Sequence, residues 1–165
     1  MALALKQRFN VRKAQIYLET TIFNYYFNRD RDAQPYTVKL FEEIAKGRFV
    51  AFTSAYVVAE LMKAPAEKRD RMLGLIENFE INLLGMSDEA EGLAAIYARE
   101  GAVPSRFLAD GLHIAMTVVN DLDIIVSLNF KHIVKKKTME MTNLINTREG
   151  YRQIQIFAPM EVVDD

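Results

Sequence analysis

The chain has no cysteine and two histidines in 165 residues. The first absence excludes a disulfide framework and any zinc site built on thiolates, and the two together leave too few ligands for a zinc site of ordinary type. A reducing compartment is compatible with this, and a cytoplasmic location is the expectation. An excess of charge of one sign is also missing. With 21 Lys and Arg against 22 Asp and Glu, the net charge is -1 and the pI about 6.2. That balance argues against a broadly basic nucleic-acid binder, so any nucleic acid would be held by a local patch. No apolar run approaches the roughly 20 residues of a membrane span, and no membrane partner is expected. Met1 to Leu5 is too short for a signal-peptide core before Lys6 and Arg8 arrive. No repeat, low-complexity tract or Gly/Ser linker divides the chain. One domain over residues 15–160 is therefore expected, after a polar lead-in at residues 1–14.

What is present is apolar residues, at 50%, enough for a sizeable core. Ile16 to Leu18 reads as a buried strand, after which Thr20 or Thr21 can cap a helix. Pro35 suits the first turn of a helix over 36–46, which Gly47 stops. Phe49 to Thr53 reads as a strand, and Ser54 caps a helix from Ala55 to about Lys63. A further helix starts at Pro65 and reaches about Asn78, followed by a strand at 80–84. Ser87 opens a helix that Gly101 closes, and Pro104 and Ser105 begin the helix that carries Asp110. Asp123 to Leu128 is the most apolar strand. A basic loop, a helix to about Arg148 and a last strand at 153–157 complete the chain. Strands alternating with helices predict an α/β fold, a three-layer α/β/α arrangement around a mostly parallel central sheet. In such a sheet the functional crevice lies beyond the carboxyl ends of the strands.

That rule selects three acids. Glu19 follows the first strand directly, although an acid at a helix start also complements the helix dipole. Glu60 stands among apolar neighbours in Ser54-Ala55-Tyr56-Val57-Val58-Ala59-Glu60, where a carboxylate is costly unless paired or metal-bound. A solvent-facing helix position would serve as well. Asp110 is placed on the far side of a buried stripe of Leu108, Leu112, Ala115 and Val119, with His113 and Thr117 near it. An ordinary exposed face is the alternative.

Four segments in order carry a resemblance. Ile16-Tyr17-Leu18-Glu19-Thr20-Thr21-Ile22-Phe23-Asn24 has a hydrophobic strand, an acid and then Thr. Ser54 to Glu60 has an acid some six residues into a helix. Leu108-Ala109-Asp110-Gly111-Leu112-His113-Ile114-Ala115 is the third. Asp123-Ile124-Ile125-Val126-Ser127-Leu128-Asn129-Phe130-Lys131-His132-Ile133 is the fourth, and its Asn-Phe-Lys-His string is the most specific. Together they resemble the PIN-domain family, the VapC-like toxin ribonucleases in particular. The resemblance implies a PIN-like fold and a ribonuclease dependent on Mg2+ or Mn2+. RNA would be the substrate, and an antitoxin protein and a second copy in a homodimer the partners. It carries over Glu19, Glu60 and Asp110 as metal ligands, with Asn129 completing the catalytic set. The family usually has Asp at the first and often at the fourth position. Glu19 lengthens the arm, and Asn129 offers a carbonyl oxygen without charge, so binding of a second metal should weaken most.

The chemistry suits those residues. Phosphodiester hydrolysis needs an activated water and neutralisation of phosphate charge, which a hard divalent cation held by oxygen ligands supplies. Thr20 and Thr21 could orient a water or merely cap the helix, and Asn24 could face the same cleft from one turn on. His113 could support Asp110 or be a satisfied core histidine. Lys131, His132, Lys135, Lys136 and Lys137 follow Asn129 and form the densest positive run, readable as an RNA contact or as a solvated helix face. A catalytically weakened PIN domain that binds RNA or protein is the main alternative. A phosphatase on a similar sheet is disfavoured, because Glu19-Thr20-Thr21 lacks the aspartate nucleophile and the second Asp two residues on.

Overall fold

The structure is a computed structural model that describes residues 12–164. Of the lead-in expected at residues 1–14, residues 1–11 lie outside the described part, whereas Arg12, Lys13 and Ala14 belong to the fold. The strands are β1 (Ala14–Leu18), β2 (Phe49–Ser54), β3 (Asn82–Leu84), β4 (Ile124–Val126) and β5 (Gln155–Phe157). The helices are α1 (Thr20–Tyr26), α2 (Gln34–Ala45), α3 (Ala55–Leu61), α4 (Ala66–Asn78), α5 (Asp88–Arg99), α6 (Leu108–Val119), α7 (Lys136–Arg148) and α8 (Pro159–Val162). A short 3-10 turn, Ser105–Phe107, leads into α6. No helix of the described residues is long and apolar enough to cross a membrane.

All neighbouring strands pair in parallel, in the order β3-β2-β1-β4-β5. This is the expected α/β architecture, with the sheet parallel throughout its described strands. The chain winds outward from β1 through β2 to β3, then returns to the other side of β1 for β4 and β5. The order therefore reverses between β1 and β4, and a crevice opens at such a switch, outside the carboxyl ends of the two strands. The register aligns Leu18 with Val126, so Glu19 and Ser127 emerge side by side at that point.

Local chemistry explains the element ends. Gly47 and Gly101 take φ of +80° and +78°, the left-handed conformation that closes a helix without a Cβ penalty. The Ser54 and Ser87 hydroxyls accept from the backbone N–H of Val57 and Ala90 and so cap α3 and α5. Neither Thr20 nor Thr21 caps α1. Its N-cap is Glu19, with no side-chain cap bond, and the Thr21 hydroxyl donates to the Glu19 carboxylate. The stripe expected on α6 is also revised. Gly111 and every residue from His113 to Val118 are buried, Leu112 and Val119 are half-buried, and Leu108 is exposed. The helix is covered nearly all round, since α5 packs along it and β4 meets it. The close approach is visible at Gly111, where a Cβ would meet the Val103 side chain at 3.0 Å.

The lead-in supplies a fold contact that composition did not reveal. Asp123 is buried, 4% exposed, just before β4. Arg12 donates to both its oxygens at 2.9 and 2.6 Å, and the Gln15 amide donates at 2.8 Å. Arg152, at 3.6 Å, gives partial cover. Removing Arg12 leaves a buried carboxylate short of its main partner. We expect Arg12→Ala to lower stability by about 1–3 kcal/mol in urea titration, and a change within error would show the contact to be incidental.

Candidate active site

The crevice at the β1/β4 switch collects residues from five segments. Glu19 leaves the end of β1 and is 3% exposed. Its Oε1 accepts from the Thr21 and Ser127 hydroxyls, both at 2.6 Å. Those hydroxyls accept in turn from backbone, Thr21 from the Leu128 amide and Ser127 from the Asn129 amide. The loop after β4 is thus wired to the acid after β1. The extra methylene of Glu19 carries its carboxylate across to Ser127 rather than out to solvent.

Glu60 and Asp110 each meet a histidine. Glu60 Oε1 lies 2.6 Å from His113 Nε2. The other ring nitrogen, Nδ1, lies 2.8 Å from the Tyr17 hydroxyl, which is 2.7 Å from the Ser54 hydroxyl. Glu60 of α3, His113 of α6, Tyr17 of β1 and Ser54 of β2 therefore form one connected chain. Asp110 is bonded at both oxygens, by Asn129 Nδ2 at 3.1 Å and by His132 Nδ1 at 2.9 Å. The His132 backbone N–H donates to Asn129 Oδ1. Because that N–H can only donate, the Asn129 carbonyl is fixed on it and the amide NH2 faces Asp110. Asn129 thus positions Asp110, and its carbonyl is not turned toward the acids as the sequence reading expected.

Burial and charge act together on these groups. Burial pushes the Glu19 carboxyl above its ordinary range, against the opposing charge of His113 and the two hydroxyls. Asp110 is likewise raised by burial, partly offset by His132. For Glu60 burial also raises, but the hydrogen bond and charge of His113 outweigh it and hold the group below its usual value. His113 itself is 1% exposed. Burial works to strip its proton, yet the Glu60 bond and the charges of Glu19, Glu60 and Asp110 together raise its pKa. All the carboxylates singled out from the sequence therefore act to raise the pKa of one imidazole. His113 is a partner of Glu60, not of Asp110 as the spacing along the helix suggested. Burial also raises the Tyr17 phenol, which stays protonated.

The donor chemistry fits a hard divalent cation, being carboxylate oxygen on separate rigid elements. A second observation agrees: the buried Thr20 hydroxyl lies beside Glu60 without completing a hydrogen bond. Such an orphaned group suits a water or an ion's hydration shell. No three His, Asp or Glu side chains among the described residues already stand in coordinating geometry. Asp110 would have to exchange its histidine partner, and Glu60 share its own, to bind an ion. Glu19, Glu60 and Asp110 are the residues that would hold it.

Other sequence candidates separate here. Asn24 donates back to the Thr20 carbonyl of its own helix and lines a different hollow, with Tyr25, Phe27 and Arg31. Lys131, His132, Lys135 and Lys137 line one cavity, while Lys136 lies apart from it, 3.8 Å from Glu140. Tyr17, Ser54 and Ser127 were not foreseen as site residues. Ser127 had a signal, a hydroxyl directly after the most apolar strand. Tyr17 and Ser54 had none, because their meeting depends on the β1–β2 register.

No protein-family profile matches the chain, and no curated protein matches it. A solved structure does: a chain in the crystal structure of VapBC2 from Rickettsia felis bound to a DNA fragment from their promoter. It aligns with a TM-score of 0.55 and 16% identity, covering 87% of this chain and 98% of that one. The fold is PIN-like. In this PIN-like fold the acidic crevice occupies the carboxyl end of the sheet, at the reversal of strand order.

Measurements on the metal-free protein check the electrostatics. A His pKa raised by folding contributes stability that is complete below its ordinary value near 6.5 and disappears as pH rises through the higher folded value. The metal-free melting temperature should therefore fall above about pH 6.5, and His113→Gln should abolish that part of the fall. An unchanged slope in the variant would contradict the assignment. Asn129→Asp sets a carboxylate where Asp110 now accepts a hydrogen bond. It should cost about 1–3 kcal/mol without metal, read by urea titration, and manganese should narrow the gap.

Proposed function

We propose that this protein is an endoribonuclease that hydrolyses RNA phosphodiester bonds with Mg2+ or Mn2+, the toxin half of a type II toxin–antitoxin pair. The observation that carries the reading is the gathering of Glu19, Glu60 and Asp110 around one buried imidazole at the β1/β4 switch of a PIN-like sheet. A buried Glu19 with two partly exposed carboxylates beside it favours a compensating cation. His113 meets that need when no metal is bound. When bound, a divalent ion would activate water and neutralise charge on the phosphate. The chain's own residues do the rest. Ser127 and Thr21 fix Glu19, Asn129 and His132 fix Asp110, and Tyr17 with Ser54 fixes the ring of His113. The lysines after residue 130 offset the repulsion an RNA backbone would meet at an acidic centre.

The likeness to a VapBC2 complex bound to promoter DNA supports an antitoxin partner. A homodimer and a cytoplasmic site of action belong to the same proposal. One observation favours a second reading, a PIN-like domain that binds RNA or protein without cutting. Glu60 and Asp110 are already engaged by histidines, and no coordinating cluster is preformed among the described residues.

Two measurements decide. Millimolar manganese should raise the melting temperature by several degrees, a ligand bound to the native state alone adding RT ln(1 + [L]/Kd). Glu60→Gln and Asp110→Asn should each remove that rise. An RNA panel should be cut only with the divalent ion, and Asp110→Asn should reduce cutting at least about 100-fold. Binding without cutting, with no thermal response to manganese, would select the second reading.

A further inference from the structure

The cavity of about 390 Å3 between the turn at 101–107 and the segment 131–138 lies outside the acid cluster, and its chemistry is opposite. Lys131, His132, Lys135, Lys137 and Ser105 line it, and no Asp or Glu does. Among the described residues, Lys131, Lys135 and Lys137 form no ion pair, whereas neighbouring Lys136 turns to Glu140. Positions along a loop and a helix start thus deliver three uncompensated ammonium groups to one concavity. The local arrangement is unfavourable on its own. Lys135 is the N-cap of α7, no side chain caps that helix, and its first turn has no acid. Cations at the positive end of a helix raise the energy of the free protein, which an anion between them would lower.

The cavity adjoins the acid cluster through one residue. His132 lines it and also holds Asp110 Oδ2 at 2.9 Å. The same ring stacks on Phe107, with centroids 4.1 Å apart and planes at 28°, and Arg106 covers Phe107 at 5.1 Å. An anion in the cavity would therefore lie next to whatever occupies the acidic crevice, beside a flat cationic and aromatic stack. A nucleic-acid strand presents that sequence of features, phosphate next to phosphate with a base to stack.

We propose that this cavity is a phosphate subsite for single-stranded RNA, holding the phosphate adjacent to the one at the acidic centre, with the Arg106–Phe107–His132 stack supporting a flanking base. The proposal rests on the ribonuclease reading above for its orientation, but it makes a separate claim about binding. Three of the lysines act as a site, and Lys136 is not part of it.

The test uses the full chain with metal removed by chelation and a fluorescein-labelled uridine hexanucleotide, followed by anisotropy from low to moderate salt. Lys131→Gln, Lys135→Gln and Lys137→Gln should each reduce the magnitude of the salt slope by about 0.7, the value for one phosphate contact on a single strand. Lys136→Gln should leave the slope unchanged. In steady-state cleavage the three variants should raise KM with little change in kcat, as expected for uniform binding. Equal loss in all four variants would show a diffuse basic face and overturn the subsite, as would displacement of the RNA by a hexaglutamate peptide as readily as by unlabelled RNA. The two readings fail separately. Native protein that cuts RNA while the three variants keep native slope and KM removes the subsite and leaves the nuclease. Native protein that cuts nothing while the slopes change as stated removes the nuclease and leaves the binding site.

Discussion

The structure depends on how the chain tolerates several carboxylates around one crevice, with Glu19 buried and Glu60 and Asp110 partly exposed. Two such groups roughly 5 Å apart repel by about 3 kcal/mol at an effective dielectric of 20, and a third adds to this. His113 is the response within the chain. It is buried on α6, bonded to Glu60, and raised in pKa by Glu19, Glu60 and Asp110 together. The second countermeasure is neutral: Asn129 donates to Asp110, where a carboxylate would repel it. Hydroxyls from Thr21 and Ser127 do the same for Glu19.

These contacts explain why the site stands where it does. The reversal of strand order between β1 and β4 brings the chain out of the sheet twice in adjacent places, once as Glu19 and once as Ser127 to Asn129. Parallel pairing fixes those exits to the same end of the sheet. The helices then contribute Glu60 from the last turn of α3, and Asp110 and His113 from the first two turns of α6. The lysine-lined cavity continues the same edge, so acid and base sit side by side and meet at His132.

Much of this was legible in the residues. Apolar runs such as Ile124-Ile125-Val126 can only be buried, and Gly47, Ser54, Ser87 and Gly101 mark element ends by local chemistry. The acids stood out because apolar neighbours surround them. What was not legible arises from tertiary register. Nothing near Tyr17 announces Ser54 or His113, which lie 37 and 96 positions away. The stripe read on α6 placed Leu108 inward by helical period alone, but that helix is covered on most sides, so period carries little information. Asn24 looked equivalent to the site threonines from its spacing, yet its amide found a backbone carbonyl closer at hand. Arg12 was set aside with a polar lead-in because its carboxylate partner is 111 residues distant.

The most direct test of the account is the protonation state of His113 in the metal-free protein, read from imidazole 15N shifts by NMR. The ring should keep both nitrogens protonated to a higher pH than an ordinary histidine does, the direction set by its carboxylate neighbours, and addition of manganese's diamagnetic counterpart, magnesium, should perturb those signals along with the side chains of Glu60 and Asp110. A ring that gives up its second proton at or below the ordinary histidine value of about 6.5 would mean that the carboxylates do not converge on it, and the electrostatic basis for a cation site would be lost.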